Sequence, residues 1–434
     1  MKLRKCLPAL AALLASALLR PAHADLQIDI TKGVTDPIPI AIVQFSRAVP
    51  ADGGLDVAAV VQHDLESSGR FKGMERRDML SQPTRVAEVQ TADWRTARND
   101  YIVVGRVSAP SATELVIDFD LVNLLTGQTL TSQNVRVASP SLRFGAHRVS
   151  DIIYERITGT RGAFSTRIAY IVVNGAPPNQ RYQLMFADTD GENKHKILES
   201  PKPIMSPAWS PDGEWISYVS FENNVAAIFV QRIRTGERRQ VSARAGVNNA
   251  PSFSPDSKKI ALTLSGSSGN LDIYVLDLGT QALTRITDDP AIDTEAAWSQ
   301  DGKFLYFTSD RGGAPQIYRI EAAAGQKAKR ITFGVAQAMR PRVSPDGTQL
   351  AIIAREGGDR VALFDLASGQ TRMLSKGGLD ESPSFAPNGA QIIYAGRDRG
   401  QAVLATVSID GLVTQRVKSD EGEVREPAWG PFPK

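Results

Sequence analysis

Short runs rich in β-branched and aromatic residues, with a tendency to alternate between apolar and polar positions, fill residues 163–434 and predict β-strands rather than helices. The run KFLYFT at 303–308 is an example. A segment of the type Pro-x-Trp-Ser-Pro-Asp-Gly recurs between these runs, with its large apolar residue at Trp209, Phe253, Trp298, Val343, Phe385 and Trp429. These positions are 42–45 residues apart. A strand-rich repeat of that length is typical of β-propeller blades.

The two ends of the repeat array predict how the propeller closes. Three strand-like segments, at 167–173, 183–187 and 196–198, precede the first copy of the motif and lack an inner strand of their own. Little chain follows the last copy. We therefore predict that residues 427–429 supply the inner strand of the first blade. This arrangement gives an all-β, six-bladed β-propeller over residues 163–434 without exposed sheet edges.

Residues 25–162 contain no such repeat, and their pattern predicts a separate α/β domain. Segments 38–45 and 101–107 are apolar enough to be buried strands, and residues 114–123 and 129–137 are typical of a hairpin. Apolar residues three and four positions apart predict helices over 55–68 and 141–158, each followed by a glycine that favours termination. We place the boundary between the two domains at residue 162.

The first 24 residues have the pattern of a secretory signal peptide. Three basic residues within the first five precede an apolar run over 7–19, and Ala22-His23-Ala24 is a typical cleavage sequence. The run is shorter than the roughly 20 residues that span a bilayer, which favours cleavage over an uncleaved membrane anchor. We predict cleavage between Ala24 and Asp25, and we expect no membrane insertion of the mature protein.

Cysteine content and net charge exclude several classes of protein. The single cysteine, Cys6, lies in the signal sequence, so the mature chain has neither disulfides nor thiolate metal sites. An exported protein without disulfides is typical of a bacterial periplasm. Loss of residues 1–24 removes four basic residues and no acidic one, which lowers the net charge from +3 to −1. A near-neutral protein lacks the positive field of a nucleic-acid binder. Separately, we expect the protein to be a monomer.

A search for catalytic motifs returns none of the common patterns. The chain contains no G-x-S-x-G, H-E-x-x-H or P-loop sequence, which mark serine hydrolases, zinc peptidases and nucleotide-binding proteins. The mature chain has three histidines, His63, His147 and His195. We expect all three to face solvent, apart from one another. We therefore predict no catalytic residue, no metal and no cofactor.

The residues at the start of each predicted inner strand are mostly polar, and they would surround one mouth of the central channel. The candidates are Asn249, Ala250, Asp293, Thr294, Glu295, Arg340, Asp380 and Glu381. Position alone leaves two interpretations open, namely ordinary polar strand starts and a binding surface formed by loops from several blades. A cation bound among the carboxylates is a weaker third interpretation.

Several segments together resemble the TolB family. The resemblance is carried by the Trp-Ser-Pro-Asp-Gly repeats, by FTSDRG at 307–312 followed by QIY at 316–318, and by LDESP at 379–383. The alternating N-terminal segment at 25–34, which leads into the apolar strand at 39–43, is also similar to that of the family. Ser257 and Gln300 replace the glycine and the proline of the motif, and these departures affect turns.

The resemblance implies a periplasmic, non-enzymatic adaptor of the Tol–Pal system, which supports outer-membrane integrity, constriction in cell division and protein import. It implies that the lipoprotein Pal binds at the propeller mouth, at or near the candidates named above. It also implies that TolA binds the N-terminal segment, whose residues are Asp25, Leu26, Gln27, Ile28, Asp29, Ile30, Thr31, Lys32, Gly33 and Val34.

Two other classes of function stay open. A propeller hydrolase would use carboxylates at the channel mouth, such as Asp293 and Glu295. A glycan binder would need exposed aromatic side chains there, whereas the Trp and Phe residues of the motif are predicted to pack between blades as part of the core.

Overall fold

The computed structural model describes residues 28–29, 36–47, 54–266, 269–418 and 422–434. The predicted signal peptide, residues 1–24, lies outside the described residues, as does most of the N-terminal segment. An α/β domain comes first in the chain and a β-propeller follows. Among the described residues, no helix has the length and apolar character needed to cross a membrane.

The N-terminal domain has a mixed sheet with helices on both faces, since the second of its three helices packs on the face opposite to the other two. Its helices are α1 (Val57–Ser67), α2 (Thr91–Thr96) and α3 (Leu142–Thr158). The sheet contains, in spatial order, Phe71–Gly73, Ile38–Ile42, Tyr101–Ser111, Glu114–Asn123 and Thr129–Ala138, with Ser46–Arg47 also paired to the third of these strands. The first three pair in parallel and the last three are antiparallel.

Local sequence signals explain the ends of the two long helices. The Asp56 side chain accepts a hydrogen bond from the Ala59 backbone N–H at 3.0 Å, which caps the start of α1. Gly159 follows α3 with φ of 76°, a left-handed conformation that glycine adopts without strain. Both predicted helices therefore exist within one or two residues of the expected bounds. The strand Phe71–Gly73 and helix α2 were not predicted.

The propeller has six blades, each a four-stranded antiparallel sheet, numbered here along the chain. From the inner to the outer strand, the blades are as follows: blade 1, Glu423–Trp429, Arg167–Asn174, Arg181–Asp188 and His195–Ser200; blade 2, Ile204–Trp209, Trp215–Ser220, Ala227–Arg232 and Arg238–Ser242; blade 3, Asn248–Phe253, Lys259–Ser265, Leu271–Asp277 and Leu283–Arg285; blade 4, Asp293–Trp298, Phe304–Ser309, Gln316–Glu321 and Lys329–Arg330; blade 5, Gln337–Val343, Gln349–Arg355, Asp359–Asp365 and Thr371–Met373; blade 6, Glu381–Phe385, Gln391–Asp398, Gln401–Ser408 and Thr414–Lys418.

Ring closure confirms the prediction from the two ends of the array. The last strand, Glu423–Trp429, pairs antiparallel with Arg167–Asn174, so that blade 1 combines the C-terminal strand with three strands from the start of the propeller. The ring of sheets is thereby continuous, and the inner edge of Arg167–Asn174 is paired rather than exposed.

The repeated motif consists of a large side chain that packs between two blades and a tight turn directly after it. In blade 2, the Gly213 N–H donates to the Ser210 carbonyl at 2.9 Å, and Asp212 accepts from the Glu214 N–H at 2.9 Å. The aromatic residue that precedes the turn reaches the neighbouring blade, because Trp209 stacks on Phe186 of blade 1 with ring centroids 4.7 Å apart. The predicted place of the aromatic residues in the core is confirmed.

Strand direction divides the propeller into two faces. Inner strands begin at one face, called the mouth face. Because successive strands are antiparallel, the loops between second and third strands lie at the same face. The connections from one blade to the next lie there as well. The opposite face, called the domain face, carries the other turns and contacts the N-terminal domain. There Gln391 donates to the Ser67 carbonyl at 3.1 Å, and Asn388 donates to the Arg161 carbonyl at 3.0 Å.

Candidate partner-binding face of the propeller

One residue in each inner strand has a left-handed backbone, and these residues surround the central channel. Each lies where the register between the inner and second strands shifts, as in a β-bulge. The six residues, called the mouth ring, are Ser206, Ala250, Glu295, Arg340, Ser382 and Glu426, with φ between 47° and 58°. None is glycine, and this conformation costs a non-glycine residue about 1–2 kcal/mol. Strain of this kind concentrates at functional sites.

Arg340 links three blades across the channel. All six mouth-ring residues line one cavity of about 120 Å³. The Arg340 Nε atom lies 2.9 Å from Glu295 Oε1 of blade 4, and its Nη1 donates to Ser382 Oγ of blade 6 at 2.6 Å. Glu381 Oε2 is 3.8 Å from the same Nη1 atom. The guanidinium thus holds carboxylates from two neighbouring blades in place.

Hydrogen bonds continue the network around the other half of the channel. Glu426 of blade 1 accepts a hydrogen bond from the backbone N–H of Ser206 of blade 2. The Ser206 hydroxyl in turn donates to Asn249 Oδ1 of blade 3 at 3.2 Å. The strained backbone positions therefore carry side chains that bond across blade boundaries, which couples the geometry of one blade to that of the next.

Burial alters the acid–base properties of the charged groups in this cavity. Burial raises the pKa of Glu426, although the Ser206 N–H and Arg340 act in the opposite direction. Burial would lower the pKa of Arg340, but Glu295, Glu381 and Glu426 raise it above its ordinary value. Burial lowers the pKa of Arg342, the second arginine of the cavity. A ligand that enters the mouth therefore meets a partly desolvated network of opposite charges.

The structure brings together five of the candidates from the sequence. Asn249, Ala250, Glu295 and Arg340 line the same cavity, and Glu381 reaches Arg340. Thr294 lies beside this group, with its hydroxyl 3.3 Å from the hydroxyl of Thr263 in blade 3.

Asp293 and Asp380 occupy the mouth face differently, because both side chains are buried and bonded within the propeller. Arg311 Nη2 lies 2.8 Å and 2.7 Å from the two carboxylate oxygens of Asp293. Asp380 accepts a hydrogen bond from the Ser375 hydroxyl. Burial raises the pKa of both carboxyl groups. These two residues hold the loops of the mouth face rather than present a free carboxylate to a partner.

Exposed apolar side chains also lie on the mouth face, and they were not among the residues predicted from the sequence. They are Val225, Val247, Ile292, Phe333 and Leu379, with exposed fractions from 38% to 64%. All five lie on mouth-face loops, and the described residues of the propeller contain no other large hydrophobic side chain as exposed. The available signal was an apolar residue immediately before a polar strand start, as in Val247-Asn248, Ile292-Asp293 and Leu379-Asp380.

Part of the N-terminal segment pairs with the outer edge of the propeller. Ile28–Asp29 forms a short strand that pairs antiparallel with the outer strand of blade 6, with Ile28 opposite Gln415 and Asp29 opposite Thr414. The other residues of that segment, 25–27 and 30–34, lie outside the described residues. The segment thus extends an edge of a propeller sheet.

One prediction about the histidines was wrong. His147 is not solvent-facing but 1% exposed, and its Nδ1 atom lies 2.8 Å from a carboxylate oxygen of Asp64. The helical pattern placed His147 correctly on α3, but it did not reveal that this side of the helix is covered by the propeller.

Comparison with protein families follows the division into two domains. A model described as the TolB amino-terminal domain matches residues 26–130, and one described as the TolB beta propeller domain matches residues 154–433. The second match alone covers well over half of the chain. The chain belongs to the TolB family.

Individual TolB proteins agree with this assignment over nearly the full length. The chain is 45% identical to the Tol-Pal system protein TolB of Xanthomonas euvesicatoria pv. vesicatoria, over 99% of each protein. It is 44% identical to that of Xanthomonas oryzae pv. oryzae, over 94% of this chain. The crystal structure of TolB from Acinetobacter baumannii is similar with a TM-score of 0.86 and 40% identity, over 94% of this chain and 100% of that chain.

Proposed function

We propose that this chain is a non-enzymatic periplasmic adaptor of the Tol–Pal system, which supports outer-membrane integrity and constriction in cell division. The mouth face binds the lipoprotein Pal, and the N-terminal segment binds TolA. Membership of the system is supported by its relatives, which are named Tol-Pal system protein TolB and match nearly the whole chain. The predicted signal peptide supports export to the periplasm.

The composition of the mouth face is the observation that carries the proposal. Five exposed apolar side chains lie on the same face as a centre of paired charges. Single exposed apolar residues are ordinary on a protein surface, but a concentration on one face is typical of an interaction site. Burial of the apolar rim would supply affinity, and the charge network would supply specificity.

The charge pairing at the mouth favours recognition over hydrolysis. A general acid or base needs a carboxyl group that is free to exchange a proton with the substrate. Glu295 is instead 2.9 Å from the Arg340 guanidinium, and both oxygens of Asp293 are bonded to Arg311. These contacts support the adaptor rather than the propeller hydrolase.

The N-terminal segment has the properties of a strand that can be exchanged between partners. Its described part is held by only two residue pairs at the edge of blade 6. A two-residue strand dissociates at low cost, and its backbone can pair with the sheet edge of another protein instead. TolA is the partner that the family resemblance implies for this segment.

Replacement of Leu379 with serine tests the mouth face. Leu379 is 64% exposed, so the substitution removes apolar surface without opening a cavity in the core. We expect Leu379→Ser to weaken Pal binding by at least about tenfold, equivalent to about 1.4 kcal/mol, because a leucine buried in an interface contributes about 1.5–3 kcal/mol. Isothermal titration of the mature protein (residues 25–434) with soluble Pal measures the change.

Leu125→Ser is the matched control for this experiment. Leu125 is 60% exposed, but it lies in the N-terminal domain. This variant should bind Pal as the wild type does. Equal loss of affinity in both variants, or no loss in Leu379→Ser, would contradict the assignment of Pal to the mouth face.

Deletion of residues 25–34 tests the second site. Binding of the periplasmic part of TolA should be lost, whereas Pal binding should persist. The thermal midpoint should change little, because the described part of this segment forms only two residue pairs with the propeller. Titrations with each partner and a melting curve measure the three quantities. The Leu379→Ser variant serves as the reciprocal control, and undiminished TolA binding by the deletion variant would refute the assignment.

A further inference from the structure

A buried polar cluster joins the two domains where helix α3 meets the turn between the third and outer strands of blade 1. The N-terminal domain contributes Asp64 from α1 and His147 from α3, and the propeller contributes Asp188 and Asp190. All four residues are buried, with exposed fractions of 1–7%. Burial of several carboxylates is costly unless charges of opposite sign accompany them.

The imidazole of His147 is fixed so that one nitrogen points at the propeller carboxylates. Its Nδ1 atom lies 2.8 Å from Asp64 Oδ2, which also accepts a hydrogen bond from the Ser150 hydroxyl at 2.6 Å. The Nε2 atom has no hydrogen-bond partner among the described residues. It lies 3.6 Å from Asp190 Oδ2 and 3.8 Å from Asp188 Oδ2.

We propose that His147 Nε2, Asp188 and Asp190 bind one divalent cation, preferably Zn²⁺, at the interface between the two domains. Asp64 acts as the positioning residue, because a carboxylate that accepts the other imidazole N–H orients the ring and leaves Nε2 as the ligand atom. This inference is independent of the proposed function.

The two separations measured from His147 Nε2 are close to those around a tetrahedral ion. Zinc binds imidazole nitrogen and carboxylate oxygen at about 2.0–2.2 Å, which places neighbouring ligand atoms of a tetrahedron about 3.3–3.6 Å apart. The observed separations from Nε2 are 3.6 Å and 3.8 Å, so small side-chain rotations suffice. Asp64, His147 and Asp190 each have a ligand-type atom within 4.8 Å of the other two, a group that does not include Asp188. Asp64 contacts Nδ1 rather than Nε2 and is therefore assigned to orient the ring, so Asp188 has to move towards the ion to complete the site.

The charge of the cluster favours a dication. Asp64, Asp188 and Asp190 carry three negative charges when ionised, and Arg143 supplies one positive charge by bonding to Asp190 Oδ2. With His147 neutral, a divalent cation brings the sum of these charges to zero. Calcium and magnesium fit less well, because they prefer an all-oxygen ligand set with six or more donors.

Two competitors set the strength of this site. Arg143 and Asn193 already donate to the carboxylate oxygens nearest Nε2. The ion must therefore share each of these oxygens with its present donor or bind the other oxygen of the same carboxylate. A proton is the second competitor. Burial would lower the pKa of His147, but Asp64, Asp190 and Asp188 raise it to about 9. The same negative field that retains this proton attracts a dication.

Metal titration of the mature protein, stripped with a chelator and held at pH 8, tests the proposal. We expect one Zn²⁺ per chain by calorimetry and by elemental analysis, and a higher thermal midpoint with Zn²⁺ than with chelator, because the ion ties the two domains together. Calcium should produce neither effect. A stoichiometry of zero for Zn²⁺, or equal shifts with both metals, overturns the proposal.

Two substitutions locate the ion, with a third as the matched control. Asp188→Asn and His147→Gln preserve side-chain volume, and each should weaken Zn²⁺ binding at least tenfold. His195→Gln removes an exposed histidine from the same blade and should bind as the wild type does. Circular dichroism checks folding, and Asp188→Asn decides the outcome if His147→Gln does not fold. Wild-type affinity in Asp188→Asn refutes the site.

Discussion

Trp429→Ala is expected to destabilise the protein by about 3–5 kcal/mol, the usual cost of truncating a large buried aromatic side chain. Trp429 is 9% exposed and packs between blades 6 and 1, against Tyr170 of blade 1 and Ile393 of blade 6. Its indole N–H donates to Thr166 Oγ1 at 2.8 Å, and its backbone N–H donates to Ser384 Oγ of blade 6 at 2.9 Å. The residue therefore fixes the strand that closes the ring.

The midpoint of thermal unfolding measures this effect, and a decrease of about 4–6 °C is expected for a chain of this size. Trp215→Ala is the matched control, because Trp215 begins the second strand of blade 2 and is only half-buried. Its loss should lower the midpoint much less. Similar decreases of the midpoint in the two variants would show that Trp429 stabilises the propeller no more than a half-buried tryptophan does. A weakened closure should also promote aggregation, since it exposes the edge of Arg167–Asn174 in blade 1.

The fold was predictable because its determinants are local and repeated. Each Ser-Pro-Asp-Gly turn fixes the connection from an inner strand to the next strand, and each aromatic residue before it fills the space between blades. A spacing of 42–45 residues then leaves few architectures other than a propeller. The first blade lacks an inner strand before residue 167, and the chain ends with one extra inner strand at 427–429. The ring closure was predicted because the extra strand fills the missing place.

The candidate site was predictable only in part, because its decisive features are not local. Strand alternation would place Asp293 and Glu295, two residues apart, on the same face, but the left-handed bulge at Glu295 gives the two side chains different surroundings. Asp293 is buried against Arg311, whereas Glu295 enters the channel and pairs with Arg340. No sequence pattern distinguishes the two carboxylates, because the partner of each lies elsewhere in the chain.

The same limit explains the error at His147. Its helix was predicted with nearly the observed bounds, but the helical pattern describes a helix only with respect to its own domain. The propeller turn that carries Asp188 and Asp190 covers the side of α3 that would otherwise face solvent. A contact between domains depends on how two folded units dock, and hydrophobic periodicity does not encode that docking.

Glu295→Arg is expected to weaken Pal binding at least tenfold and to lower stability. The substitution places a second guanidinium beside Arg340, which now forms its 2.9 Å ion pair with Glu295, and close to Arg342 in the same cavity. Removal of one partner from a partly buried charge pair costs about 2–5 kcal/mol at an interface. A loss of at least tenfold in affinity for soluble Pal, about 1.4 kcal/mol, should therefore appear by isothermal titration.

The charge-swapped double variant, Glu295→Arg with Arg340→Glu, separates recognition from folding. Both positions have the same left-handed backbone, with φ of 58° and 56°, so each residue type already occurs in that conformation. The swap restores an opposite-charge pair across blades 4 and 5, and it should recover much of the thermal midpoint lost in the single variant. Arg340, however, also bonds to Ser382 and approaches Glu381, and a glutamate there reverses the charge presented to blade 6. Pal binding should therefore stay lost. Recovery of binding together with stability would mean that the pair serves only to hold the blades, and the binding surface would then have to lie on the apolar rim alone.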